Sequence, residues 1–453
     1  MTSRYVSIRP DNVPSNGVIS HKGGFAVLGF TIQNQNGILD PRSIRINGKL
    51  RVYKDNLANP TPVHTNDANQ ITMNNRCGIF GMFDQLMIKH EKSNQICEHI
   101  RYYNRYMNAY LGTTSSKQDL MGHFNETALI EPNPECMFRH VVASGTSLQG
   151  MDIPKSFSVH LPSGFMLSGN SINLMENSFG GIKIEIYLSP DSNCLFSRNG
   201  VLTGIGEAHY TLEDLSLSCE IHDIAPDDMA SFASQTEGAM TFQTIDSIFT
   251  TINSGNAQIQ YNLGLRKLQS AFMTFIPSSY INTLTADGLA SVYPSNTAAD
   301  TLVNFTRIQF LRGGVKYPMD FDITTNKTIS GNVDSTEDSF NTADPQLALQ
   351  FTESIIPEML MDKTSVSQNN LNRNYDLLNT GGVSSYKSQI DGGALFGIGV
   401  RYSQYNQGQD FSSQQFGVSL ESSITDNNPI GVFIFLKSQK TLMFNANGVQ
   451  IMN

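Results

Sequence analysis

The chain has 453 residues, too many for one ordinary domain and enough for two or three. Hydrophobic residues make up 39% and charged residues only 15%, so much of the polar surface falls to Asn, Gln, Ser and Thr, a loop-rich composition that favours strands over helices. A formal net charge of −10 with no basic tail argues against direct nucleic-acid binding, because phosphate contacts need clustered Lys and Arg.

Residues 1–23 read as an irregular arm containing Pro, Gly and Asn. They carry no apolar core and no cleavage signal, and no window of the chain reaches membrane-spanning length. The expectation is a chain made in a reducing compartment and not secreted through a signal peptide. The sequons at Asn125, Asn304 and Asn326 are then chance matches. The cysteines Cys77, Cys97, Cys136, Cys194 and Cys219 are odd in number, widely spaced and free of any C-x-x-C, which points to buried, reduced thiols.

GGFAVLGFTIQ (23–33) opens the first apolar run. ILDPRSIRINGKLRVYK (38–54) alternates around Asn47-Gly48, a hairpin signal. CGIFGMFDQLMIKH (77–90) reads as a further strand. In SNQICEHIRYYNRYMNAYL (93–111), Ile96, Ile100, Tyr103, Met107 and Tyr110 recur at helical spacing. The pattern predicts a helix capped by Ser93 and stopped by Gly112, with a second helical stretch from near Ser115. His99, Arg101 and Arg105 would lie on its solvated face.

Strands resume at SFSVHL (156–161), SINLM (171–175) and IKIEIYL (182–188). A long run follows at HYTLEDLSLSCEIHDI (209–224), whose phase slips at Glu213-Asp214, as a bulge would cause. APDDMASFASQTEG (225–238) reads as a connector. Beyond it, strands are predicted at 265–277, 301–311, 315–323, 395–402, 415–423, 430–438 and 441–452. A helix is predicted over 344–356, with Asp344 as its cap, Pro345 at its first position and Pro357 as its stop. Between 301–311 and 315–323, Gly313-Gly314 forms a tight turn, and Pro318 places the second strand at an edge or bulge.

The order is many strands with an inserted helix, a connector, then the same again. Short strands at roughly 8–12-residue intervals suggest sandwiches or barrels, here two of about 220 residues each.

Chemistry-bearing motifs are hard to find. Gly48-Lys49 lacks the rest of a phosphate loop, and GGALFGIG (392–399) has the wrong glycine spacing for a dinucleotide fingerprint. GTSLQG (145–150) is one residue too long for a nucleophile elbow. His90-Glu91 begins like a zinc-protease helix, but Asn94 stands where the second His belongs. His160, His209 and His222 sit singly among apolar strand residues and read as structural. Carboxylates gather at Asp227-Asp228, at Asp320 and Asp322, and at Asp334 with Glu337-Asp338. Asp320-x-Asp322 could offer a metal or an acid/base pair one strand face; against that stands a charged strand edge that discourages aggregation. No catalytic, cofactor-binding or metal-binding residue is assigned, and the chain is not expected to be an enzyme.

Several segments, taken in order, resemble the double jelly-roll major capsid proteins of double-stranded DNA viruses, above all those of polinton-like viruses and virophages. GGFAVLGFTIQ and ILDPRSIRINGKLRV resemble the family's opening strands, and QICEHIRYYNRYMNAY its inserted helical segment. GGIKIEIYLSPDSNCLF and HYTLEDLSLSCEIHDI resemble the last strands of a first jelly roll. SAFMTFIP followed by IQFLRGGVKYPMDF resembles the start of a second, and GVFIFLKSQKTLMFNANGVQIM its final hairpin.

The resemblance implies an all-β fold of two consecutive eight-stranded antiparallel jelly-roll sandwiches with short inserted helices. The arm would span 1–23, the first jelly roll 24–225, the connector 226–238 and the second jelly roll 239–453. The implied function is a virion shell protein, assembled inside the host cell, whose homotrimers form pseudo-hexagonal capsomers tiling an icosahedron. Its partners would be further copies of itself, neighbouring capsomers, penton proteins and minor or cement proteins. Whether a membrane lies beneath the shell is left open. The arm is a candidate for tying neighbours together. The alternative is a β-sandwich carbohydrate-binding protein or glycoside hydrolase, with Asp320 and Asp322 as its only hook and no Trp to stack on sugar.

Overall fold

The computed structural model describes the chain apart from residues 1, 15, 55–60, 63–70, 75–76, 115–121, 131–153, 198–207, 284–287, 290–304, 319–352, 356–396, 403–407, 423–428, 446–447 and 453. The described residues hold two antiparallel sandwiches, one after the other in the chain. In the first, the main strands are β1 (Ser3–Ile8), β2 (Val27–Ile32), β3 (Ile38–Lys54), β4 (Phe83–His90), β5 (Ile96–Ile100), β6 (Lys155–His160), β7 (Ile182–Leu188) and β8 (Ala208–His222). One sheet runs β1-β8-β3, with β6 on the far side of β3; the other runs β2-β7-β4-β5.

The second half supplies β9 (Gly238–Ile252), β10 (Asn256–Tyr261), β11 (Leu268–Pro277), β12 (Phe305–Arg312), β13 (Val315–Lys316), β14 (Gly397–Arg401), β15 (Phe416–Ser422) and β16 (Ile430–Asn445). Its sheets run β9-β16-β11-β14 and β10-β15-β12-β13. Counted from each half's own first main strand, both halves pair first, eighth, third and sixth in one sheet and second, seventh, fourth and fifth in the other. That is the jelly-roll arrangement, present twice. A last strand, β17 (Gly448–Met452), folds back on the end of β16.

The alternation in Ile182, Ile184, Ile186 and Leu188 does what it predicts, since all four are buried. The expected bulge is also there: the β8–β3 register shifts between Glu213 and Ser216, and Asp214 adopts φ 52°. Gly313 and Gly314, at φ 56° and 83°, make the tight turn that pairs Arg312 with Val315. The described cysteines, Cys77, Cys97, Cys194 and Cys219, are free and buried.

Several elements differ from the sequence pattern. Ser3–Ile8 is not irregular but an edge strand, paired with β8 from Ser3↔His222 to Ile8↔Leu217. Asn47-Gly48 makes no turn: β3 is a single 17-residue strand. Gly48 is needed for space instead, because a Cβ there would lie 2.6 Å from Leu215 Cδ2 and 2.8 Å from Phe157 Cζ. Asn47 is used sideways, donating to Ser218 Oγ at 3.1 Å and accepting from Ser158 Oγ at 2.7 Å. The run at 77–90 opens with a 3-10 turn over Gly78–Met82 before β4 begins.

The helix predicted over 93–111 is divided. Residues 96–100 are captured by β4 as strand β5, and α1 begins only at Tyr103 and runs to Thr114. Tyr102, at φ 56°, is the break between them. A short helix, α2 (His123–Ala128), follows. β9 and β10 were absent from the pattern, and the strands expected at 430–438 and 441–452 are instead the long β16 and β17. Of the helix expected over 344–356, residues 353–355 are described, and they are helical.

Candidate functional site

The most elaborate arrangement of side chains among the described residues is the junction where the two sandwiches meet. It starts from α1, whose residues 103, 106 and 110 fall at three- and four-residue steps and so share a face. Tyr103 and Tyr106 stack at 6.3 Å between ring centroids, and Tyr106 and Tyr110 at 5.6 Å. Tyr106 also lies 6.2 Å from Phe272 and 5.9 Å from Phe435, which stack on each other at 5.0 Å. Beside them, Tyr102 meets Phe433 edge-on at 4.9 Å, and the Arg105 guanidinium sits 3.9 Å above the Phe433 ring.

Strand alternation explains this geometry. In β16, Phe433 and Phe435 face the junction, while Val432, Ile434 and Leu436 join the second sandwich's own core. In β11, Phe272 and Ile276 face the junction, while Ala271, Met273 and Phe275 face that core. β11 and the first part of β16 are therefore buried on both faces.

Polar ties frame the aromatic cluster. Asn108 donates to the Leu289 carbonyl at 2.7 Å, Ser247 to the Arg101 carbonyl at 2.8 Å and Asn170 to the Thr241 carbonyl at 2.9 Å. At its other end, α3 (Gly164–Leu167) packs on β9, with Phe165 edge-on to Phe242 at 5.2 Å. Gly164 lies so close to the Gln243 backbone that any Cβ would collide with it.

The centre of this end is Glu98 of β5, which is 2% exposed. Its Oε1 accepts from the Gly164 N–H at 3.2 Å and the Ile245 N–H at 3.1 Å; its Oε2 accepts from the Phe165 N–H at 2.9 Å. One carboxyl group thus ties the first sandwich to its own inserted turn and to the first strand of the second. Burial outweighs these bonds and raises its pKa to about 7. In the sequence, Glu98 stood only as part of a helical pattern. The available signal was a lone acid inside an apolar run, just ahead of spaced tyrosines.

The residues weighed for chemistry do not converge. His90 holds its own hairpin, with Nδ1 2.7 Å from Ser93 Oγ and Nε2 2.6 Å from the Phe179 carbonyl oxygen. His209 is fully buried and stacks on Tyr53 at 5.0 Å. His160 of β6 and His222 of β8 lie in the sheet of β1, β8, β3 and β6, opposite Arg45 and Ser3. Asp227 and Asp228 are exposed in the connector, whose centre forms a short helix over Met229–Ala233. Asp320, Asp322, Asp334, Glu337, Asp338 and 145–150 lie outside the described residues, as does most of 392–399. Among the described residues, no group of three or more His, Cys, Asp or Glu could hold a metal ion, and no helix is long and apolar enough to cross a membrane.

Two jelly rolls of the same strand order in one chain define the double jelly-roll class. Solved structures bear out the fold along the full length. The quasi-atomic model of the PBCV-1 virus capsid matches with a TM-score of 0.56 at 11% identity, covering 100% of this chain and 97% of that one. The Faustovirus major capsid protein gives 0.56 at 9% identity, covering 98% and 90%. The cryo-EM structure of the Sputnik virophage gives 0.52 at 10%, covering 100% and 88%. No family model matches the chain, and neither does any curated protein.

Proposed function

We propose that this chain is the major capsid protein of a double-stranded DNA virus and that its role is structural rather than catalytic. The observation that carries the reading is the doubled jelly roll with an aromatic junction between its halves. Two sandwiches of one strand order, locked side by side, give a subunit two similar lobes. Three such subunits around a threefold axis present six lobes, so a homotrimer approximates a hexagon and can tile an icosahedral shell. We take 24–225 together with β1 as the first lobe and 238–453 as the second, with 226–237 between them. The likeness to the Faustovirus major capsid protein and the PBCV-1 capsid supports this reading.

On this reading the protein resides in the virion capsid and is assembled inside the host cell. Its partners are other copies of itself, neighbouring capsomers, penton proteins and minor or cement proteins. The net charge of −10 fits a shell wall with no sequence-specific grip on nucleic acid. Low charge and abundant Asn, Gln and Ser suit broad polar contacts between subunits.

The test is the mass of the purified chain in solution. A trimer, three times the 50.0 kDa chain, is expected. A monodisperse monomer at all concentrations would contradict the proposal.

A further inference from the structure

The second strand of each half is the edge of its sheet: β2 in the first sandwich and β10 in the second. The two edges are finished differently. β2 is capped from within the chain. The Asp11 N–H donates to the Gly29 carbonyl at 2.7 Å, Asn12 Nδ2 to the Val27 carbonyl at 2.5 Å, and the Gly29 N–H to Asn12 Oδ1 at 3.1 Å. β10 pairs with β15 alone among the described residues, and its register has no bulge. No Pro and no charged residue stands anywhere from Ser247 to Leu265. Sheet edges are ordinarily blunted by charge, Pro, a bulge or a covering segment, and among the described residues β10 has none of these.

The open groups can be named. The β10–β15 register runs from Asn256↔Glu421 to Tyr261↔Phe416, and the Ser422 N–H continues it by donating to the Gly255 carbonyl at 2.6 Å. Bonded residues alternate along an antiparallel strand. Gly255, Ala257, Ile259 and Tyr261 therefore bond inward to β15, while Asn256, Gln258 and Gln260 turn their N–H and C=O groups to the open edge. Ser254 Oγ donates to the Asn256 carbonyl at 2.8 Å and leaves the other outward groups free. The same three residues hold their side chains on the exposed face. On the opposite face Ile259 is buried in the second core, and Ala257 and Tyr261 pack against it.

We propose that the β10 edge docks the β10 edge of a second copy of this chain, antiparallel across a twofold axis, with Gln258 opposite its own counterpart and Asn256 opposite the counterpart of Gln260. The segment is complementary to itself in this register. Every outward residue meets an outward residue, so the backbone groups of all three are satisfied. Amide side chains continue the exposed face, and Ala257 and Ile259 continue the core face; a slip of one residue would exchange the two. The lack of charge matters as well. Copies of a chain with net charge −10 repel one another, and this uncharged stretch is where they can approach. An acidic or basic partner would find no counter-charge here. A twofold pairing also closes on itself, since each edge consumes the other.

The pairing needs only two copies of the chain and does not depend on the shell reading. On that reading it joins neighbouring trimers, because a twofold contact cannot lie on a trimer's threefold axis.

Sedimentation of the purified full-length chain over a range of concentrations tests this. The smallest species present, trimer or otherwise, bears on the shell reading; whether that species then pairs bears on this one. The wild type should pair reversibly as concentration rises. Gln258→Lys and Gln258→Glu each place like charges opposite one another, so each should weaken pairing about tenfold or more while leaving the unfolding midpoint in denaturant unchanged. An equal mixture of the two sets Lys against Glu and should restore it. In hydrogen exchange, the amides of Gln258 and Gln260 should gain protection with concentration, while those of Ala257 and Ile259, already bonded to β15, should not. A wild type that never exceeds its smallest species, single variants that pair like the wild type, or a mixture no better than its components would each overturn the proposal. Protection at Gln258 that is independent of concentration would do so too, because the edge would then be covered within the smallest species.

Discussion

Two equivalent sheets, one from each half, are built on different principles. In the first sandwich, β8 alternates from its bulge onward: Leu215, Leu217, Cys219 and Ile221 are buried, while Ser216, Ser218, Glu220 and His222 are not. Its outward face carries cross-strand ion pairs, Arg51–Glu213 at 3.1 Å and Lys49–Asp214 at 2.7 Å. In the second sandwich, β11 is buried at nine consecutive positions from Leu268 to Ile276, and β16 is buried from Ile430 to Leu436. The strand order is the same; the surroundings are not. One sheet faces solvent on one side, and the other is covered on that side by α1 of the neighbouring sandwich. Identical topology therefore leaves opposite patterns in the sequence, and the pattern reports what a sheet packs against.

The sharpest way to break this comparison uses neighbouring residues. Phe435→Ala should cost about 3–5 kcal/mol and Ile434→Ala about 2–5 kcal/mol, because each opens a cavity on its own side of β16. On β8, Leu217→Ala should cost a similar amount, but Ser216→Ala should stay within about 0.5 kcal/mol. Denaturant unfolding of the four variants measures this, and a cheap Phe435→Ala would mean that the second sheet is not covered.

Gly164→Val attacks the covering directly, since its side chain would enter the Gln243 backbone. A loss of about 3 kcal/mol is expected, with the two halves unfolding in separate steps, as followed by calorimetry. Gly48→Val acts inside the first sandwich only, against Leu215 and Phe157, and should cost about 1–3 kcal/mol while leaving the junction amides protected. Gly313→Val, at φ 56° and against Gln414, should cost about 1–2 kcal/mol, confined to the β12–β13 hairpin and read by exchange at Tyr317.

The alternating strands were legible in the sequence because one period of two settles both conformation and face. The run at 430–438 was legible for the opposite reason: continuous apolar residues bounded by turns mark a strand with no wet side. β9 was not, since TFQTIDSIFTT mixes polar residues into a strand that is half junction and half edge. Residues 96–100 looked helical because Ile96 and Ile100 are four apart, a spacing that strand β5 also satisfies; pairing with β4 decided between them. Gly48 looked like a turn because Asn-Gly usually is one, and only Leu215 and Phe157, distant in sequence, reveal the steric reason for it. Glu98 was invisible as a tie because two of its partners lie 66 and 67 residues away and the third lies 147 residues away.

Everything in the functional reading rests on two lobes acting as one rigid subunit, repeated three times. Negative-stain electron microscopy of the purified protein tests that most directly. The account predicts particles with threefold symmetry and a hexagonal outline, six lobes around a centre. Isolated two-lobed particles, at concentrations where the protein is otherwise well behaved, would contradict it.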